Sequence, residues 1–243
     1  MAVSAMLLLA LATACSTTDT MRTVQPTILP SGGDADKYAA LVIDGNTGRT
    51  FYSVNADAQR YPASLTKMMT LYLLFEAMDS GRITPETQIP VSAHAAAQPP
   101  SKMRIRAGDS IDAATAVGAL ATKSANDVAA AVGEYLGGSE DQFAAMMTAK
   151  ARQIGMRRTV FRNASGLGDD GQYTTARDMA VLGMSLQKRF PHRFGAFSAT
   201  SFNFRGRGVR GHNDLLGRVQ GVDGIKTGYI RASGFNIVTS VNT

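Results

Sequence analysis

The apolar and polar positions divide the chain into a leader, an aperiodic stretch and a patterned body. Residues 2–14 are an almost unbroken apolar run, and residues 16–37, rich in Ser, Thr, Pro, Gly and Asp, show no periodicity. The body opens with two strand-like runs, 38–44 and 49–54, split by Gly45-Asn46-Thr47-Gly48, which predicts a hairpin. Over 64–78, Leu65, Met68, Met69, Tyr72, Leu73 and Phe75 recur at mostly helical spacing and the pattern stops before Gly81, so a helix with a wide buried face is expected. Pro85, Pro90, Pro99 and Pro100 forbid any long helix over 83–110, leaving loop and short strand. Helical patterning returns over 112–135, 139–154 and 175–189; Ser139 opens the second of these, with Gln142 placed as a capping-box partner. Beyond Pro191 the pattern reverts to strands at 199–204, 224–229 and 235–240. Strands at both ends enclosing helices give an α+β class: an antiparallel sheet with an inserted helical lobe, and a cleft between the two.

Composition changes this picture little. With 243 residues and 44% hydrophobic content the chain can bury one substantial core, or one core with a helical lobe beside it. A formal charge of +6 raises nucleic acid as a partner. The basic residues are spread out, however, apart from Arg205, Arg207 and Arg210 in a Gly-rich loop, and no nucleic-acid motif is present, so the surface reads as solvated and basic, suited to anionic lipid or an anionic wall polymer. The run 2–14 is too short to span a bilayer and ends in Ala12-Thr13-Ala14, an export signal without the usual positive start. Cys15, the single cysteine, excludes an internal disulfide and follows the cleavage site directly; its position fits a lipid-anchored cysteine and an ordinary signal-peptidase site equally. The expected organisation is a signal at 1–14, a linker at 15–37 and one domain at 38–243, exported to the periplasm or the outer face of the cytoplasmic membrane, with membrane contact only through the signal or a lipid on Cys15.

The candidate chemistry begins at Ser64-Leu65-Thr66-Lys67. If Ser64 starts the helix, Lys67 lies one turn on along the same face, with its amine in reach of the hydroxyl. Such a lysine serves as a base only if burial and a second cation favour its neutral form. Two further triplets fall where that requirement points. Ser124-Ala125-Asn126, inside the helix expected over 112–135, could relay a proton and hold a substrate amide. Lys226-Thr227-Gly228, on a late strand, supplies the cation, a hydroxyl for a carboxylate, and a glycine that leaves room for a substrate along the strand edge. Together they form the set S-x-x-K, S-x-N and K-T-G of serine acyltransferases. His94, His192 and His212 have no ligand spacing and the glycines form no phosphate loop, so neither metal nor cofactor is expected; His212, shortly before the K-T-G strand, could line the cleft but reads first as surface or loop packing.

Over about 37–243 the chain resembles the low-molecular-mass penicillin-binding D-alanyl-D-alanine carboxypeptidases, serine peptidases of the β-lactamase-like fold. Besides the three motifs, the likeness covers Gly108-Asp109, residues 163–167, residues 175–179 and residues 221–229. It implies acylation of Ser64 by the penultimate D-Ala of a peptidoglycan stem peptide, with release of the last D-Ala. Lys67 would be the base, Ser124 and Lys226 the proton relay, Asn126 a clamp on the substrate backbone, and Thr227 the contact to the terminal carboxylate. The backbone N–H groups of Ser64 and Tyr229 would form the oxyanion hole beside Gly228, and β-lactams would acylate the same serine. A class A β-lactamase shares the motifs but adds a glutamate for deacylation; residues 163–175 carry Asp169 and Asp170 instead, and Ala125 replaces the aspartate of S-D-N. A D,D-endopeptidase of the same fold would share the motifs too, and a non-catalytic wall-binding lipoprotein is the reading of a different class, which the intact motifs disfavour. In the resembling family a further strand returns between the N-terminal hairpin and the K-T-G pair, followed by a helix. The chain stops at Val241-Asn242-Thr243, so that strand and helix are expected to be missing, the two strand pairs to lack a partner on their inner edges, and the polypeptide to express or turn over poorly.

Overall fold

The computed structural model describes residues 37–242; the expected signal segment, Cys15 and nearly all of the linker lie outside them. The predicted hairpin forms, with β1 (Ala40–Ile43) antiparallel to β2 (Thr50–Val54). Its turn is held by the Asp44 carboxylate, which accepts the N–H groups of Asn46 at 2.9 Å and Thr47 at 2.7 Å, and Gly48 takes the left-handed conformation that closes it. After a 3-10 turn, Ala63–Thr66, the chain enters α1 (Lys67–Asp79). This helix is apolar all round, because Met68, Met69, Leu71, Leu74 and Phe75 point in different directions and are all buried. It is the axis of the core.

A short ladder of β3 (Gln88–Pro90) with β4 (Ser110–Asp112) brackets α2 (Ala93–Ala97). The expected helix over 112–135 is instead two helices, α3 (Ala113–Gly118) and α4 (Asn126–Gly137), separated by a π-helical turn at Ala119–Lys123 and by Ser124 in the left-handed region at φ +60°. The interruption has a tertiary cause. The Asn126 N–H donates to the Ser101 carbonyl at 2.7 Å rather than to a preceding turn, and the Asp127 carboxylate collects the N–H groups of Met103, Arg104 and Ile105. Hydrophobic periodicity carries no sign of such bonds, and so the pattern does not reveal the break. α5 (Glu140–Gln153) and α6 (Ala176–Arg189) lie where expected. Ser139 and Thr175 cap them by accepting the N–H groups of Gln142 and Asp178. α1 packs against α4, α5 and α6.

The expected Gly-rich loop around Arg205 is a hairpin of β5 (Ser201–Phe204) and β6 (Arg207–Arg210), its two turn residues Arg205 and Gly206 both left-handed, as a two-residue connection demands. The last pair is β7 (Val222–Ile230) with β8 (Gly234–Val241). Every pairing is antiparallel, as expected for this class, but the strands are divided among four two-stranded ladders, and β1–β2 and β7–β8 share no hydrogen bonds among the described residues. What joins them is α6, which contacts both β1 and β8. Gly183 makes the close approach to β7 and β8: a methyl group there would meet Ile225 Cδ1 at 3.0 Å and Val238 at 3.5 Å.

Candidate active site

Ser64 sits on the 3-10 turn and Lys67 is the first residue of α1, so three residues of tight helix bring the amine 3.2 Å from the hydroxyl. The turn is entered through Ala63, fully buried and held at φ +49°, a conformation that disfavours an L side chain. The entry is fixed from both sides. Gly166 lies so close that a methyl group on it would fall 1.8 Å from the Ala63 carbonyl oxygen, and one on Gly228 would fall 3.0 Å from the Ser64 nitrogen. Ser64 is thus clamped between the 163–166 loop and β7.

Lys67 is fully buried, and its Nζ has three polar neighbours: Ser64 Oγ, Asn126 Oδ1 at 2.7 Å and the Ser165 carbonyl at 2.5 Å. The two carbonyls can only accept. A neutral amine has two N–H groups to give them and one lone pair left, which faces the remaining neighbour, the serine hydroxyl. The electrostatics favour that form: burial pulls the Lys67 pKa well below the ordinary lysine value and the nearby Lys226 charge adds to this, while Asp127 and Glu140 act in the opposite sense. Lys226 is itself buried, and burial alone lowers its pKa to about 7.

Ser124 and Asn126 flank the helix break. Ser124 is buried and its hydroxyl has no hydrogen-bond partner among the described residues, which leaves it free to serve a reacting group. Asn126 is already engaged at both ends, its Oδ1 by Lys67 and its Nδ2 donating to the Pro99 carbonyl at 2.9 Å. On β7, Lys226 donates to the Thr227 carbonyl at 3.0 Å. Lys226 and Thr227 line a cavity together with Thr122, Arg210 and His212. Gly228 explains itself by its contact with the Ser64 amide. The Tyr229 side chain is exposed and leans on Phe235, ring centroids 4.7 Å apart.

Of the residues singled out in the sequence, Ser64, Lys67 and Asn126 are joined by hydrogen bonds, Gly228 abuts Ser64, and Lys226 acts on Lys67 through its charge. Thr227 lines the cavity beside Lys226, and Ser124, two residues before Asn126, has no side-chain bond to any of them. Two contributors escape sequence reasoning and a third, His212, is ranked too low by it. Ser165 gives only a main-chain carbonyl, invisible to a search for side-chain chemistry; the hint is Asn163-x-x-Gly166, whose Asn163 Oδ1 accepts the Gly166 N–H at 2.7 Å and shapes the loop. Asp127, next to Asn126, is fully buried and organises the 103–105 backbone. His212, expected as loop packing, lines the Lys226 cavity, and burial followed by the charges of Lys123 and Lys226 lowers its pKa.

Comparison with known proteins gives a consistent result. Residues 23–243 match a family profile described as D-alanyl-D-alanine carboxypeptidase. The D-alanyl-D-alanine carboxypeptidase DacA of Escherichia coli (strain K12) is 33% identical over 221 residues, covering 88% of this chain and 55% of the relative. The crystal structure of the D-alanyl-D-alanine carboxypeptidase DacD from Francisella tularensis superposes with a TM-score of 0.81 at 28% identity, over 90% of this chain and 66% of that one. Penicillin-Binding Protein D2 from Listeria monocytogenes, in its ampicillin-bound form, does so with a TM-score of 0.73 at 30% identity, over 84% of each chain. The chain spans about half the length of the curated relatives it matches.

Proposed function

The chain belongs to the D-alanyl-D-alanine carboxypeptidase family, and from that premise we propose that it removes the terminal D-Ala of peptidoglycan stem peptides through an acyl-enzyme on Ser64. The observation that carries this reading is the buried Lys67 amine, 3.2 Å from Ser64 Oγ with its other two neighbours both carbonyls. Ser64 Oγ attacks the carbonyl of the penultimate D-Ala while its proton passes to the Lys67 lone pair. The tetrahedral oxyanion is met by the N–H groups of Ser64 and Tyr229; supporting this, Gly228 holds β7 against the Ser64 amide with no side chain between them. The unpartnered Ser124 hydroxyl carries a proton to the departing amine, with Lys226 as the adjacent cation. The C–N bond breaks, D-Ala leaves, and water then hydrolyses the ester.

The substrate is held at two points. Thr227 and the Lys226 ammonium receive the terminal carboxylate in the cavity they line. Asn126 turns its amide to the peptide backbone, exchanging the Pro99 carbonyl for the substrate. β-Lactams, whose strained amide offers the same carbonyl, acylate the same serine; the ampicillin-bound relative is consistent with this. The reaction takes place outside the cytoplasmic membrane, where such a polymer lies, with the apolar run at 2–14 as the export signal.

The test is release of free D-Ala from a synthetic peptide ending in D-Ala-D-Ala. Turnover by the wild type and none by Ser64→Ala supports the proposal. Covalent penicillin labelling without D-Ala release, or cleavage only of an internal cross-link, contradicts carboxypeptidase action.

A further inference from the structure

Beside the site, on the far side of the Ser124–Asn126 turn from the Lys226 cavity, runs an open cleft. Four of its nine lining residues are basic, Lys102, Arg104, Arg106 and Lys123, and none is acidic. Among the described residues, none of the four has a carboxylate within ion-pair distance. The nearby acids are committed elsewhere: Asp127 is fully buried and spends its oxygens on backbone N–H groups, and Asp109 faces Arg205 at 3.6 Å. Lys102 donates one N–H to the Ala96 carbonyl at 3.0 Å and retains two. Four like charges gathered in one cleft repel one another, and an anion that enters relieves the repulsion.

The cleft is built into the reactive site. Its wall includes Ser101, whose carbonyl accepts the Asn126 N–H at 2.7 Å and whose Oγ donates to the Lys123 carbonyl at 3.0 Å; the Pro99 carbonyl that accepts from Asn126 Nδ2 precedes Pro100 of the same wall. Thr122 lines the Lys226 cavity and Lys123 lines the cleft, so the turn from Thr122 to Asn126 is the partition between the two. Arg104 is kept at φ +61° by the bond from its N–H to Asp127 Oδ2 at 2.8 Å. An arginine in a conformation that suits glycine, at the mouth of a cleft, is strain placed where a side chain is wanted.

We propose that this cleft is a substrate subsite for a carboxylate carried by the peptide upstream of its D-Ala-D-Ala end. The inference rests on the function proposed above, because it takes the terminal carboxylate to be seated at Lys226 and Thr227. A peptide anchored there and crossing Ser124 and Asn126 arrives at the cleft, where Arg104 and Arg106 meet its second negative charge.

The experiment compares two synthetic peptides ending in D-Ala-D-Ala, identical except for glutamate or glutamine at the residue preceding that pair. For the wild type at low ionic strength, kcat/KM for D-Ala release should favour the glutamate peptide by roughly threefold to tenfold, as expected for a few solvent-exposed charge contacts. The preference should shrink as salt is added. In Arg104→Gln/Arg106→Gln the ratio should fall to about one, in Arg106→Lys it should survive, and in Arg106→Glu it should invert. Equal rates in the wild type, or a preference that persists in the double variant, overturn the subsite. If neither peptide is turned over, the proposed function fails, and the subsite is then judged by binding of the two fluorescently labelled peptides to Ser64→Ala. Tighter binding of the glutamate peptide supports it and equal binding overturns it.

Discussion

Replacing Lys67 with methionine keeps the length of the side chain and removes its nitrogen. Two consequences follow from the distances. Asn126 Oδ1 and the Ser165 carbonyl, at 2.7 and 2.5 Å from Nζ, each lose their donor inside the core. A stranded buried acceptor costs about 1–3 kcal/mol. Against that, the thioether needs no desolvation, whereas the amine it replaces is buried deeply enough to have its pKa driven well down. The net loss should be about 1–4 kcal/mol, the range left when two such penalties are partly offset. For a chain of this size that lowers Tm by roughly 2–4 °C per kcal/mol and leaves a folded protein. Acylation should suffer far more, because the lone pair facing Ser64 Oγ is gone, and a positioned base contributes about 10²- to 10⁴-fold. The assay is the second-order rate of labelling by a fluorescent penicillin at pH 7, with a thermal melt on the same sample. A folded Lys67→Met protein that labels within about tenfold of the wild type would refute the assignment of the base.

Other expectations concern the second cation and the backbone clamp. The Lys226 pKa of about 7 lies below its ordinary value of 10.5, so between those pH values the unfolded chain holds a proton that the folded one does not. Stability should therefore rise with pH across that window and be lost as pH falls through about 7; melts of Lys226→Met should show a shallower slope, Lys67 contributing the remainder. On the proposed function, the same deprotonation in the unliganded protein should lower kcat/KM for carboxylate-ended peptides as pH rises through about 7, and Lys226→Arg should lack that limb. Gly166→Ala would put a methyl group 1.8 Å from the Ala63 oxygen at a φ of +85°, so either the loop or the Ser64 turn must move. Penicillin labelling should fall at least tenfold, the scale of about 1.4 kcal/mol of misalignment; normal labelling of a folded variant would show that the clamp is dispensable. Asp127→Asn, which weakens the acceptor of four backbone N–H groups, should lower stability by about 1–3 kcal/mol in a denaturant melt.

Much of this can be read from residue order. The hairpin, α1, α5, α6 and the β7–β8 pair follow from periodicity and, for α5, from the cap at Ser139, because each element buries a face determined by its own residues. Ser64 and Lys67 are legible because their proximity is local, one helical turn. The break at Ser124 is not, since Asp127 and Ser101 impose it through bonds between segments more than twenty residues apart. The division of the strands into separate ladders is likewise a matter of tertiary placement, and the Arg205-Gly206 turn reads as loop because the runs on either side are only four residues long. The Ser165 carbonyl illustrates a general blind spot: a main-chain group can complete a site while its side chain gives no sign of it.

The central claim is that Ser64 is the residue acylated. Purified protein treated with a fluorescent penicillin, digested and mapped by tandem mass spectrometry should carry the adduct on the peptide containing Ser64, with Lys67 unmodified and Ser64→Ala unlabelled. An adduct on Ser124, Ser165 or any other residue, or undiminished labelling of Ser64→Ala, would contradict it.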